Sequence, residues 1–138
     1  MKYYTYTHKA HYYETDQMGI IHHSNYIRWM EEARIRFMAD NNMGFKEVEA
    51  AGFISPVLGI TCDYKNMIHF DDNVIIKLHM VNYNGLKFTI GYDMYVEGDD
   101  KLCTTGTSTH CFLDKAGRPV IIKKDIPEFD ALLREYME

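Results

Sequence analysis

The sequence predicts an α+β fold in which one antiparallel β-sheet wraps around one long central helix. Three observations carry this expectation. A single uninterrupted helical stretch lies near the N-terminus, strand-like runs separated by turn signals follow residue 53, and a length of 138 residues suits one domain with one core. One helix cannot cover a whole sheet, so a homodimer, or a tetramer built from it, is the expected completion.

Residues 3–13 (YYTYTHKAHYY) place Tyr4, Tyr6, His8, Ala10 and Tyr12 on one side with period two, the pattern of a first strand. Residues 14–23 (ETDQMGIIHH) have no usable period and a Gly near their middle, which predicts a loop. Ser24 or Asn25 can cap a helix reaching about Asn41, because the stretch holds no Pro or Gly and Gly44 waits as a left-handed stop. On that helix Tyr26, Met30, Ala33 and Phe37 repeat at core spacing, while Arg28–Glu32 and Glu32–Arg36 can pair on a solvated side. Residues 45–51 add a short helical turn before Gly52.

Four strands are expected over 53–64, 74–83, 86–97 and 102–113, pairing in order as a meander. Asn84-Gly85 is a strong hairpin signal, and Gly98-Asp99-Asp100 a second turn. The basic stretch 115–124 (KAGRPVIIKK) reads first as a solvated edge strand. A terminal helix follows Pro127, with Phe129, Leu132, Leu133 and Tyr136 on one face.

Composition narrows the function. Aromatic residues make up 14% of the chain and favour a β-rich core of large flat side chains. A net charge of -5 gives no overall attraction for nucleic acid. Cys62, Cys103 and Cys111 are odd in number and lack CxxC spacing, so neither a disulfide framework nor a thiolate metal site is expected, and a reducing cytoplasm fits best. The start MKYYTYTHKA has no apolar signal segment, and no run approaches the roughly 18 apolar residues of a membrane span.

The stretch from Tyr12 to Tyr26 (YYETDQMGIIHHSNY) resembles the signature Y-x-D-T-D-x-x-G-x-V-x-H-x-x-Y of the acyl-CoA thioesterases related to 4-hydroxybenzoyl-CoA thioesterase and the Tol-Pal-associated thioesterases. Cys62-Asp63-Tyr64 and Phe70-Asp71-Asp72 extend the resemblance along the chain. It implies a hot-dog fold, dimers or higher assemblies, and hydrolysis of acyl-CoA or acyl-carrier thioesters without metal or organic cofactor. By position, the catalytic aspartate falls on Asp16, the motif glycine on Gly19, the histidine on His23 and the flanking tyrosines on Tyr12 and Tyr26. Glu14 departs from the pattern by standing where many members carry a second aspartate.

The chemistry suits these residues. Thioester hydrolysis needs a carboxylate that attacks the carbonyl or activates water, and donors that hold the developing oxyanion. Asp16 can be the first, and the N–H groups at the helix entrance, with roughly half a positive charge, can be the second. Each residue also has a plainer explanation. A loop Asp forms turns and caps, Gly19 serves a turn of positive φ, Tyr12 and Tyr26 pack cores, and His23 contributes its backbone N–H whatever its ring does. Adjacent His22 and His23 point apart and lack a third ligand, so no metal is expected. Lys115, Arg118, Lys123 and Lys124 form a local basic strip, and Lys123 and Lys124 are candidates to receive the phosphates of coenzyme A. Competing readings are a non-catalytic acyl-CoA-binding protein, which has no use for a carboxylate at the thioester, a dehydratase of the same fold, and a structural oligomer.

Overall fold

In the computed structural model, which describes residues 2–137, the strands are β1 (Tyr4–Lys9), β2 (Val57–Tyr64), β3 (Asn73–Tyr83), β4 (Lys87–Val96) and β5 (Leu102–Cys111). The helices are α1 (Ser24–Asp40), α2 (Phe45–Ala50), α3 (Ile122–Asp125) and α4 (Pro127–Met137). All strands join one antiparallel sheet in the order β1-β3-β4-β5-β2, wrapped around α1 as expected.

Alternation builds the sheet's inner face. Val74, Ile76, Leu78 and Met80 of β3 and Phe88, Ile90, Tyr92 and Met94 of β4 are all buried. Tyr26, Trp29, Met30, Ala33 and Phe37 of α1 are buried with them in one core. Each large side chain so buried contributes about 1.5–3 kcal/mol. Register shifts between Val57 and Gly59, Met80 and Asn82, and Met94 and Tyr95 interrupt the ladders, the kind of irregularity that lets a sheet bend round a helix. Close approach is set at Gly106 of β5, where a Cβ would lie 2.5 Å from the Met30 methyl carbon and 2.9 Å from the Thr61 carbonyl oxygen.

Several local expectations are corrected. The first strand ends at Lys9, not near residue 13, and residues Tyr12–Glu14 form a 3-10 turn, so Tyr12 leaves the strand face. Neither Ser24 nor Asn25 caps α1. His23 holds the cap position, and the first-turn N–H of Ser24 is instead accepted by His22 Nδ1 at 3.2 Å. The left-handed stop after α1 is Asn42, at φ 62°, whereas Gly44, at φ -57°, opens α2. Glu32 makes no ion pair with Arg28 or Arg36, because Tyr6 Oη donates to it at 3.0 Å and His8 Nδ1 lies 3.0 Å away.

The meander holds only for β3, β4 and β5. β2 pairs with β5 at the opposite edge, since β1 and β4 occupy both sides of β3. The stretch 115–124 is no edge strand. It is a loop bridged at Leu113 and Pro119, running into α3, whose Ile122 N–H donates to Gly85 O at 3.0 Å.

Candidate active site

The loop between β1 and α1 folds as a miniature hairpin. Glu14 O accepts the His22 N–H at 2.8 Å and Ile20 O accepts the Asp16 N–H at 2.8 Å. Residues 16–19 make the turn, closed by the Gly19 N–H donating to Asp16 O at 3.1 Å. Asp opens such a turn well because its carboxylate takes the N–H two residues on, and Asp16 Oδ1 does so with Met18 at 2.8 Å. Gly19 is left at φ 78°, a conformation that side chains with a Cβ resist. Both plain readings, turn aspartate and turn glycine, are therefore real. They do not exhaust Asp16, because Oδ2 accepts no hydrogen bond from the described residues.

Asp16 lines a cavity of about 380 Å³ together with Met18, Ile20, His23, Tyr26, Tyr64 and Met67. This volume lies within the range of small-molecule sites, and the wall is mainly apolar with a few polar groups, as such sites usually are. His23, at the mouth of α1, is fixed through its carbonyl, which accepts the Tyr64 hydroxyl at 3.0 Å. Its N–H is donated to no described residue and so remains open at the positive end of the helix. Burial pushes the phenols of Tyr26 and Tyr64 up to about 12, which keeps both neutral donors. The arrangement offers a carboxylate, an unengaged helix-entrance N–H and an apolar wall, the set that hydrolysis of an apolar acyl ester or thioester requires.

Of the residues singled out from sequence, Asp16, His23 and Tyr26 come together on this cavity, and Gly19 shapes the turn beside it. Tyr12 does not reach the cavity. It stands 76% exposed on the surface, edge-on to Phe70 at 5.5 Å. Lys123 and Lys124 are exposed on α3, which contacts the β3–β4 turn at the Cys111 end of β5, whereas Tyr64 pairs with Thr104 near its other end. Within one chain, lysines and cavity are thus at opposite ends of the sheet. Tyr64 and Met67 were missed as site residues. The signal was the Cys62-Asp63-Tyr64 segment, already part of the family resemblance.

One cluster adjoins the loop, with His8 and Glu14 buried and His11 exposed. His8, His11 and Glu14 bring potential metal-ligating atoms within 4.8 Å of one another. The His8 and Glu14 atoms are already engaged. Glu14 Oε1 accepts the His11 N–H at 2.7 Å and meets His8 Nε2 at 3.0 Å, Oε2 accepts the Trp29 indole N–H at 2.7 Å, and His8 Nδ1 is bound to Glu32. Burial alone would raise the Glu14 carboxyl, but the N–H of His11 and the contacts with His8 and Trp29 outweigh it and hold the group below the usual carboxylate range.

A family model described as the thioesterase-like superfamily matches residues 11–135. A candidate acyl-CoA thioesterase of Bacillus subtilis, YneP, is 34% identical over 122 residues, covering 88% of each chain. A candidate esterase of Aquifex aeolicus is 32% identical over 123 residues, covering 89% of this chain and 94% of that one. Among solved structures, a DHNA-CoA thioesterase from Staphylococcus aureus superposes with a TM-score of 0.91 at 28% identity, over 99% of this chain and 92% of the other. A sheet curved around one helix, a carboxylate in the loop before that helix and a match along nearly the whole sequence have one common meaning: the chain belongs to the thioesterase-like superfamily, has its hot-dog fold and is a thioester hydrolase.

Proposed function

We propose that the protein hydrolyses acyl-CoA, or an equivalent acyl-carrier thioester, to free acid and thiol, with Asp16 as its catalytic carboxylate. The observation that carries this reading is the Asp16 side chain itself: Oδ1 is tied to the Met18 N–H at 2.8 Å while Oδ2 has no partner among the described residues and the residue lines the cavity. A carboxylate held by one oxygen is oriented, and its free oxygen can attack the carbonyl carbon or take a proton from water. The His23 N–H then receives the charge that develops on the thioester oxygen. One such donor is worth about 2.7–4 kcal/mol and a placed carboxylate base about 10²–10⁴-fold, so positioning supplies the remainder. Apolar Ile20, Tyr26 and Met67 suit the acyl group. The test is a panel of acyl-CoA substrates of differing chain length and aromaticity, followed by release of free thiol. Absence of thiol release from every member would refute the reading.

The working form is a homodimer, or a tetramer assembled from it. β2 is an edge strand whose Val57, Leu58, Ile60 and Tyr64 are all exposed, and an apolar edge of this length is normally covered. Antiparallel pairing of β2 with its two-fold copy would extend the sheet and bring the copy's α3 end toward the Tyr64 end of this chain. Lys123 and Lys124 would then serve the phosphates of coenzyme A across the subunit boundary. Sedimentation showing a stable, active monomer at micromolar concentration would exclude this assembly. No helix among the described residues is long and apolar enough to cross a membrane, and we place the activity in the cytoplasm.

A further inference from the structure

We propose that Glu14 is a positioning residue for Asp16: its buried carboxylate, bound by β1 and α1, sets the alignment of the loop that carries the catalytic group. The proposal rests on the reading of Asp16 given above. Glu14 is only 4% exposed although it lies two residues from a cavity wall. Its side chain reaches three ways. Oε1 takes the His11 N–H at 2.7 Å and His8 Nε2 at 3.0 Å, and Oε2 takes the Trp29 indole N–H at 2.7 Å. His8 belongs to β1 and Trp29 to α1, so one carboxylate joins the strand before the loop to the helix after it. His8 is in turn anchored by Glu32 of α1 at 3.0 Å.

The backbone of the same residue holds the loop's far side. Glu14 O accepts both the His22 N–H and the Asn25 side-chain N–H, each at 2.8 Å. Side chain and carbonyl together therefore fix where the loop leaves β1, where it returns, and the first turn of α1. Asp16 and the His23 N–H lie on that loop at opposite sides of the turn, so any change at Glu14 alters their separation. Displacement of a reacting group by about 1 Å is enough to lower a rate by about 10²-fold.

The site is specific for a carboxylate. Gln offers a single acceptor oxygen, and its amide would point donors at either the Trp29 indole or the pair formed by His11 N–H and His8. A hydrogen bond is lost in either orientation, without loss of volume.

The test compares Glu14→Gln, His8→Gln and Asp16→Asn with the Glu14→Gln/Asp16→Asn double variant, all checked for folding by circular dichroism and assayed by thiol release. Trp29 is the sole tryptophan, so its one indole N–H resonance reports the carboxylate bond directly. The expected result for Glu14→Gln is a moved indole resonance, a kcat lower by ~10- to 10²-fold and a KM within about twofold. In the Asp16→Asn background the same change should slow the residual reaction no further. If Glu14→Gln does not fold, His8→Gln, which keeps the carboxylate, must show the same kcat-selective loss. Full kcat in a folded Glu14→Gln with a moved resonance overturns the proposal, as does an equal loss in both backgrounds. An active Asp16→Asn refutes the catalytic reading of Asp16 instead.

Discussion

Replacing Asp16 by Asn removes a charge and leaves the turn intact. The Asn amide oxygen can still accept the Met18 N–H that Asp16 Oδ1 accepts at 2.8 Å, and the side-chain volume is nearly unchanged. Stability should therefore move by less than about 0.5 kcal/mol. Catalysis should not survive, because an amide neither attacks a thioester nor takes a proton from water. The expected loss is about 10²–10⁴-fold in kcat, which at about 1.36 kcal/mol per decade is roughly 2.7–5.4 kcal/mol of transition-state stabilisation. KM should change little, because the lost interaction belongs to the transition state. Asp16→Ala separates the two roles. It loses the same activity and also the turn bond, about 0.5–1.5 kcal/mol, which should appear as a melting temperature lower by several degrees. Thiol release from acyl-CoA and thermal melts of wild type and both variants make the comparison. A folded Asp16→Asn with near wild-type turnover would refute the assignment, and an Asp16→Ala as stable as Asp16→Asn would refute the turn.

Other residues give independent tests. Gly106→Ala should destabilise the protein by about 1–3 kcal/mol in denaturant titrations, because its Cβ would sit 2.9 Å from the Thr61 carbonyl oxygen, which cannot yield as the Met30 tip can. His110, 1% exposed, is pushed down to about 3, first by burial and then by the neighbouring Arg34 guanidinium. The unfolded chain binds this proton near the ordinary value of 6.5 and the folded chain only near 3, so the unfolded state holds more protons between them. His110 should accordingly withdraw stability as pH falls through that window, and His110→Asn should flatten the slope of unfolding free energy against pH between about 6.5 and 5. Replacing Lys123 and Lys124 by Ala should raise KM for acyl-CoA more than for an acyl-pantetheine lacking the nucleotide, and equal effects on both would remove these lysines from the site.

Local signals in the sequence determined the helix, the strand runs and the loop that carries Asp16. The apolar period of Tyr26, Met30, Ala33 and Phe37, the absence of Pro and Gly from 24–41, and the Asn84-Gly85 hairpin act over a few residues, so tertiary contacts had little to overrule. Asp16 and Gly19 were singled out through the resemblance of residues 12–26 to the family signature, whereas turn chemistry by itself explains both without any catalytic role. The placement of β2 beside β5 was not legible, since the choice of edge depends on which sides of β3 are already occupied and no short-range pattern records that. The cap moved for a similar reason: the hairpin brings in His22, which accepts the Ser24 N–H, and His23 rather than Ser24 or Asn25 holds the cap position. Tyr64 joined the cavity, and Tyr12 left it, through chain packing far apart in sequence. Glu14 shows the difference most sharply. In sequence it is an off-pattern acid two residues before the proposed catalytic one; its burial among His8, His11 and Trp29 depends on β1 and α1 meeting over it, and only the tertiary structure brings them together.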